Sequence, residues 1–134
     1  GSGKSTALLA LLGIVTDGVT GSAVAVAPEG AIAGEDLWRR TSYVPQRPVL
    51  DAALVGDASG LSLGERQRVA VGAELLRGRE LLILDEPTAH LDEANAAEML
   101  ALLRDRANAG ATVLVASHDP LVLAAADAVI EVTP

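Results

Sequence analysis

The chain has 134 residues, half of them apolar, and its 18 acidic against 10 basic side chains give a net charge of −8. A surface this acidic repels phosphate backbones, so the composition argues against a nucleic-acid partner. The absence of cysteine excludes disulfides and thiolate metal sites, and no apolar run is long enough to span a membrane.

The chain opens with the letters GSGKST, and the first predicted element is a helix over residues 4–12. The phosphate-loop motif reads G-x-x-x-x-G-K-[ST], and residues 1–5 match its last five positions. The start of the motif and the buried strand that normally precedes it are not in the sequence. We therefore expect the chain to be a piece of a longer protein. The alternative is that Gly1 and Ser2 are additions unrelated to the motif.

Strands and helices alternate along the rest of the chain. Strands are predicted over 22–26, 41–44, 81–84, 112–116 and 128–132, and helices over 62–77, 92–108 and 120–126. Ser62 with Glu65 three residues later forms a capping box, and Asp92 is the expected cap of the next helix. This alternation predicts an α/β fold in which helices flank a mainly parallel sheet.

Polar side chains follow two of the buried strands at the point where each strand ends. Asp85 and Glu86 follow the strand over 81–84, and Ser117, His118 and Asp119 follow the strand over 112–116. Ligands of parallel sheets bind at the carboxyl ends of the strands. The sequence therefore predicts one site at this edge, together with the start of the helix that the phosphate loop opens.

These residue types suit the chemistry of Mg·ATP. The helix start cradles phosphates, Lys4 places a cation on the β- and γ-phosphates, and Ser5 offers its hydroxyl to Mg²⁺. Asp85 is expected to hold the ion through water, and Glu86 to polarise the attacking water. His118 is expected to keep that water and the γ-phosphate in line. Phosphoryl transfer needs little beyond such positioning and charge stabilisation.

Four motifs follow the phosphate loop in a fixed order: TSYVPQRP at 41–48, LSLGERQRVA at 61–70, LLILDEPTAHLD at 81–92 and SHD at 117–119. In this order they resemble the ABC-type ATPases over nearly the whole chain. The resemblance implies a truncated P-loop NTPase core over 1–134, with the signature region at 61–77 and the Walker B to switch region at 81–119. It also implies an ATPase that uses ATP and Mg²⁺ to power transmembrane export.

The resemblance assigns roles to individual residues. Gln46 is similar to the Q-loop glutamine, Asp85 to the Walker B aspartate, Glu86 to the catalytic glutamate and His118 to the switch histidine. The residues implied to contact nucleotide are Gly1, Ser2, Gly3, Lys4, Ser5, Thr6, Ser62, Gly64 and Asp92. The residues implied to hold Mg²⁺ are Ser5, Gln46 and Asp85. The segment Ala89–Asp92 is similar to the D-loop, and its residue His90 is expected to face solvent.

The chain departs from the family pattern at two places. In the signature, Leu63 replaces a glycine and Glu65 replaces a glutamine, and the bulk of Leu63 is expected to weaken closure on a phosphate. Only 14 residues, 47–60, separate the Q-loop from the signature. Three average helices need roughly 35 residues, so the helical subdomain that docks on the membrane subunit is expected to be mostly absent. The chain alone is expected to be inactive.

The resemblance also implies partners and a location. They are a second nucleotide-binding domain, identical or different, paired head to tail, and a transmembrane domain in the same full-length chain, at the cytoplasmic face of a bacterial membrane. The segments EDLWRRTSYVPQRP and DEPTAHLD are most similar to the exporters of cysteine or glutathione needed for cytochrome bd assembly. Two alternatives stay open, a soluble ABC-type translation factor and a catalytically silent nucleotide-binding regulator.

Overall fold

The computed structural model describes residues 25–27 and 29–131, so the predicted helix over 4–12 and the phosphate loop lie outside the described residues. The strands are β1 (Ala25–Ala27), β2 (Gly30–Ile32), β3 (Thr41–Val44), β4 (Leu81–Asp85) and β5 (Thr112–Ala116). The helices are α1 (Gly34–Arg39), α2 (Ala52–Val55), α3 (Leu63–Leu76), α4 (Glu93–Asn108) and α5 (Pro120–Ala125). Within this part of the chain, no helix has the length and hydropathy of a membrane span.

The three longer strands form a parallel sheet in the order β3-β4-β5. Leu81 is in register with Thr41 on one side and with Thr112 on the other, so all three strands run in step to the same edge. The strands β1 and β2 form a separate antiparallel hairpin. The predicted parallel sheet flanked by helices is confirmed, and its carboxyl edge gathers the residues that follow β3, β4 and β5.

Two apolar clusters cover the two faces of β4, because its side chains alternate between faces. On one face, Leu82 and Leu84 pack with Val71 of α3 and with Met99 and Leu103 of α4. On the other face, Ile83 packs with Tyr43, Leu81, Leu114 and Ala116. Because β4 is buried from both sides, its end is held rigidly where Asp85 and Glu86 begin.

The two long helices begin where the sequence predicts. The Ser62 side chain accepts a hydrogen bond from the Glu65 N–H, and the Glu65 side chain accepts one from the Ser62 N–H, which completes the predicted capping box. At the start of α4, a carboxylate oxygen of Asp92 accepts a hydrogen bond from the N–H of Asn95 at 2.8 Å. Each cap satisfies backbone donors that have no partner within the helix.

Some predicted bounds are wrong. The last predicted strand, over 128–132, is absent from residues 128–131, which form no regular element. The helix predicted over 120–126 ends at Ala125. Of the strand predicted over 22–26, residues 22–24 lie outside the described residues, and the described strand extends to Ala27. The sequence analysis did not identify α1. Between the Q-loop and the signature, the described part of the chain holds a single turn of helix, α2, as the short segment requires.

Candidate functional site

Asp85 is the last residue of β4 and is only 5% exposed. Its Oδ1 atom has no hydrogen-bond partner among the described residues. A buried carboxylate oxygen without a partner is costly, so its presence indicates a ligand that completes it. Mg²⁺ needs only one or two protein carboxylates when phosphates and water supply its other ligands. The position and chemistry of Asp85 therefore fit a Mg²⁺ ligand.

Tyr43 of β3 packs on the same face of the sheet as Ile83, the face that Asp85 shares by alternation. Burial raises the pKa of the Tyr43 hydroxyl, and the negative charge of Asp85 raises it further. The hydroxyl therefore stays neutral and adds no second charge beside Asp85. Gln46, two residues beyond β3, is exposed at the same edge of the sheet.

Glu86 leaves the strand in an unusual backbone conformation. Its φ is +46°, in the left-handed region that few residues other than glycine adopt. Its N–H still donates to the carbonyl of Ala116 at 2.8 Å, which anchors it to the end of β5. The residue is 8% exposed, so its carboxylate is largely enclosed. A strained backbone at a buried acidic residue is a frequent feature of functional sites.

The segment after β5 supplies hydrogen bonds to both carboxylate oxygens of Glu86. The Ser117 hydroxyl donates to Oε2 at 3.0 Å, and Nδ1 of His118 lies 2.8 Å from Oε1. The His118 side chain is 82% exposed while that of Glu86 is 11% exposed. The pair therefore joins an enclosed carboxylate to an imidazole that solvent or a ligand can reach. The structure brings the predicted residues Glu86 and His118 into contact.

A further hydrogen bond joins the loop after β4 to the segment after β5. Thr88 is 4% exposed, and its hydroxyl donates to Oδ2 of Asp119 at 2.6 Å. This bond, followed by the Leu121 N–H, holds the pKa of Asp119 below its ordinary value. The sequence analysis assigned no role to Thr88 or Ser117, although the position of each beside a predicted site residue was a usable signal.

The signature and the D-loop pack against each other. Gly64 of α3 is buried, and a Cβ placed there would lie 2.5 Å from the carbonyl oxygen of His90. Leu63 beside it is 47% exposed. The prediction that His90 faces solvent is wrong in part: the residue is half-buried, and its Nε2 atom is buried and has no hydrogen-bond partner among the described residues. The carbonyl of His90 lies against the start of α3, at Gly64.

The remaining residues predicted to contact nucleotide are at helix starts or outside the described part of the chain. Ser62 and Asp92 are exposed, and each caps a helix, which is a structural function; their nucleotide contacts stay predictions. Gly1, Ser2, Gly3, Lys4, Ser5 and Thr6 lie outside the described residues. Among the residues that are described, no group of three or more His, Asp or Glu side chains could hold a metal ion by itself.

Comparison with protein families gives a match over residues 53–124, to the family described as "AAA domain, putative AbiEii toxin, Type IV TA system". This range is more than half of the chain and includes the signature region, Asp85, Glu86 and His118.

Curated relatives match more than half of the chain. The macrolide export ATP-binding/permease protein MacB of Hahella chejuensis is 43% identical over 74 residues, which are 55% of this chain and 11% of that protein. An ABC transporter ATP-binding protein of Mycobacterium tuberculosis is 46% identical over 79 residues, 59% of this chain and 23% of that protein. The chain thus spans less than a quarter of the length of either relative.

A solved structure shares the fold. It is described as an inward-facing conformation of a metal-chelate type ABC transporter, and it matches with a TM-score of 0.63 and 22% identity over 93% of this chain and 62% of that chain. The match over residues 53–124 shows that the chain belongs to this AAA-domain family, and its sequence is similar to ATP-binding proteins of ABC transporters.

Proposed function

We propose that this chain is part of a nucleotide-binding domain that binds and hydrolyses Mg·ATP to power transport across a membrane. The contact between Glu86 and His118, at 2.8 Å beside the buried Asp85, is the observation that supports this proposal best. It joins a general-base candidate, a phosphate-facing imidazole and a metal ligand at the carboxyl edge of a parallel sheet, where ligands of such sheets bind.

In this proposal Glu86 orients and polarises the water that attacks the γ-phosphate. Its carboxylate accepts hydrogen bonds from Ser117 and His118, which fix its direction before the water arrives. Nδ1 of His118 contacts Oε1 of Glu86, and with both ring nitrogens protonated Nε2–H would be left to donate to an oxygen of the γ-phosphate. Positioning of this kind supplies most of the rate enhancement in phosphoryl transfer.

Asp85 is proposed as the protein ligand of Mg²⁺, with Gln46 and Ser5 completing the set. The bound ion would neutralise charge on the β- and γ-phosphates. The proposed phosphate contacts of residues 1–6 lie outside the described part of the chain and stay predictions. The exposed position of Gln46 leaves its amide accessible at the correct edge of the sheet.

We also propose that two such domains pair head to tail, so that Ser62 and Gly64 of one domain meet the nucleotide of the other. Asp92 would then lie at the shared interface, and a transmembrane domain of the full-length protein would place the pair at the cytoplasmic face of the membrane. The exposed Ser62 and Leu63, at the N-terminus of α3, fit this arrangement, since a helix N-terminus favours phosphate.

The substitution Glu86→Gln in the full-length protein tests the catalytic proposal. We expect ATP affinity to be kept and hydrolysis to fall by roughly 10²–10⁴-fold, the usual loss for a general base. Glu93→Gln, at an exposed glutamate in the first turn of α4, is the matched control and should retain turnover. Unchanged turnover in Glu86→Gln would remove Glu86 from the mechanism. A wild-type protein that binds ATP without hydrolysing it would support the silent regulator instead.

For the cargo, we propose a thiol such as cysteine or glutathione, on the resemblance of the segments around Trp38 and Thr88. The named function of the MacB relatives makes a macrolide the competing cargo. ATP-dependent uptake into inverted membrane vesicles that contain the full-length protein separates them. Accumulation of labelled glutathione or cysteine supports the proposal, and accumulation of labelled erythromycin alone contradicts it. Co-sedimentation with ribosomes, and not with membranes, would favour the translation factor.

A further inference from the structure

We propose that Thr88 is a positioning residue for Glu86, acting through a continuous chain of hydrogen bonds that ends on the Glu86 carboxylate. This inference rests on the proposed function, because it concerns the orientation of the residue that polarises the attacking water. It adds Thr88 and Ser117 to the site and gives each a separate task.

This series consists of three hydrogen bonds, and the first two are joined through the Asp119 residue itself. The Thr88 hydroxyl donates to Oδ2 of Asp119 at 2.6 Å, and the Asp119 N–H donates to the Ser117 hydroxyl oxygen at 3.1 Å. The Ser117 hydroxyl then donates to Oε2 of Glu86 at 3.0 Å. Each group uses its donor in one direction, so the series has a single consistent set of donors and acceptors. Its two ends lie only two residues apart in the loop after β4.

Burial explains why the series can fix a side chain. Thr88 is 4% exposed and Glu86 is 8% exposed, and Ser117 and Asp119 between them are half-buried, so water competes for these bonds less than it would at an open surface. The other oxygen of Asp119 accepts a hydrogen bond from the Leu121 N–H at 2.9 Å, which anchors Asp119 to the start of α5. With Asp119 held from both sides, the segment 117–119 cannot rotate freely. Ser117 and His118 are therefore both directed at the Glu86 carboxylate.

Thr41, at the other end of the sheet, provides a matched control, because its hydroxyl makes a similar hydrogen bond. The Thr41 hydroxyl donates to the Leu37 carbonyl, also at 2.6 Å and also partly buried. Thr41 is the first residue of β3, so it lies at the amino edge of the sheet, while Thr88 lies at the carboxyl edge. Removal of either hydroxyl deletes one short hydrogen bond, but only Thr88 connects to Glu86.

The test compares Thr88→Val, Thr88→Ser and Thr41→Val in the full-length protein, with Mg·ATP as the probe. A displacement of about 1 Å at a reacting group can cost about 100-fold in rate. We expect Thr88→Val to lower kcat by about 10- to 100-fold while KM for ATP changes by less than about twofold. Thr88→Ser keeps the hydroxyl and should restore most of kcat. Thr41→Val should leave kcat within about twofold of the wild type.

A double variant strengthens the test. If Thr88 acts through Ser117, then Thr88→Val combined with Ser117→Ala should be no slower than the slower single variant. Multiplying losses would contradict a single series. If Thr88→Val does not fold, Ser117→Ala carries the test, and a normal kcat in it overturns the proposal. A wild type without ATPase activity refutes the proposed function, whereas an active wild type with a normal Thr88→Val refutes only this inference.

Discussion

Gly64 and Gly72 lie in the same helix and offer a controlled comparison between a glycine required by packing and one that is not. An added Cβ at Gly64 would lie 2.5 Å from the carbonyl oxygen of His90 and 3.2 Å from Cδ2 of Leu91. An added Cβ at Gly72 would have no neighbour within 4 Å among the described residues. We therefore expect Gly64→Ala and Gly72→Ala to change stability in opposite directions.

The magnitude follows from two separate effects. Alanine is a better helix former than glycine by about 0.8–1.0 kcal/mol, which Gly72→Ala should gain in large part. Gly64→Ala meets a backbone oxygen that cannot rotate away, so the D-loop or the helix has to shift. Overpacking of this kind typically costs about 1–3 kcal/mol. Both alanines gain helix propensity, so the two gains largely cancel and the overpacking cost sets the difference: Gly64→Ala should have a free energy of unfolding about 1–3 kcal/mol below that of Gly72→Ala.

Scanning calorimetry of the full-length protein can measure this difference in the transition of the ATP-binding domain. For a domain of 150–250 residues, 1 kcal/mol shifts Tm by about 2–4 °C. Gly64→Ala should therefore melt several degrees below Gly72→Ala. If the two variants melt at the same temperature, Gly64 does not lie against the His90 carbonyl and the packing of the D-loop on α3 is wrong. Gly64→Ala should also lower ATP turnover, since the D-loop follows Glu86 directly.

Two further outcomes follow from the structure. The Thr88 hydroxyl, followed by the Leu121 N–H, lowers the pKa of Asp119, so their stabilisation is present above the ordinary value of about 3.8 and is lost as the pH falls through the lower folded value. The Tm difference between wild type and Thr88→Val should therefore be largest near neutral pH and shrink below about pH 4; a difference that stays constant with pH contradicts this assignment. Leu63→Gly should raise ATP-driven dimerisation if the bulk of Leu63 obstructs closure, and in mixed dimers the gain should occur at the site that binds nucleotide on the other domain. A gain only at the mutated domain's own phosphate loop would contradict the head-to-tail arrangement.

The parallel sheet could be predicted from sequence because its signals are local. The apolar run before Asp85 and the run before Ser117 each form a strand where predicted, and the caps at Ser62 and Asp92 set the helix starts. The contact of Glu86 with His118 followed from the rule that parallel strands end at one edge. These features depend on short stretches of sequence and on a general topology.

Other features depend on contacts between distant segments, which no local pattern encodes. Residues 128–131 contain the β-branched pair Val129 and Ile130, which favours a strand, but they pair with no strand in the described part of the chain. A strand without a partner leaves its backbone groups unsatisfied. The close approach of the His90 carbonyl to α3 depends on the missing side chain at Gly64, 26 positions earlier in the chain. The bond from Thr88 to Asp119 joins residues 31 positions apart and requires the register of β4 with β5.

The left-handed backbone at Glu86 also has a consequence for variation under selection. In a residue with a Cβ this conformation costs on the order of 1 kcal/mol in steric energy, and glycine lacks that cost. Random variants sorted only for solubility or resistance to proteolysis should therefore tolerate glycine or asparagine at position 86 more readily than at its buried neighbour Asp85. A selection in which growth requires ATP hydrolysis by the full-length protein should recover glutamate alone. Position 86 thus distinguishes the requirement for folding from the requirement for activity.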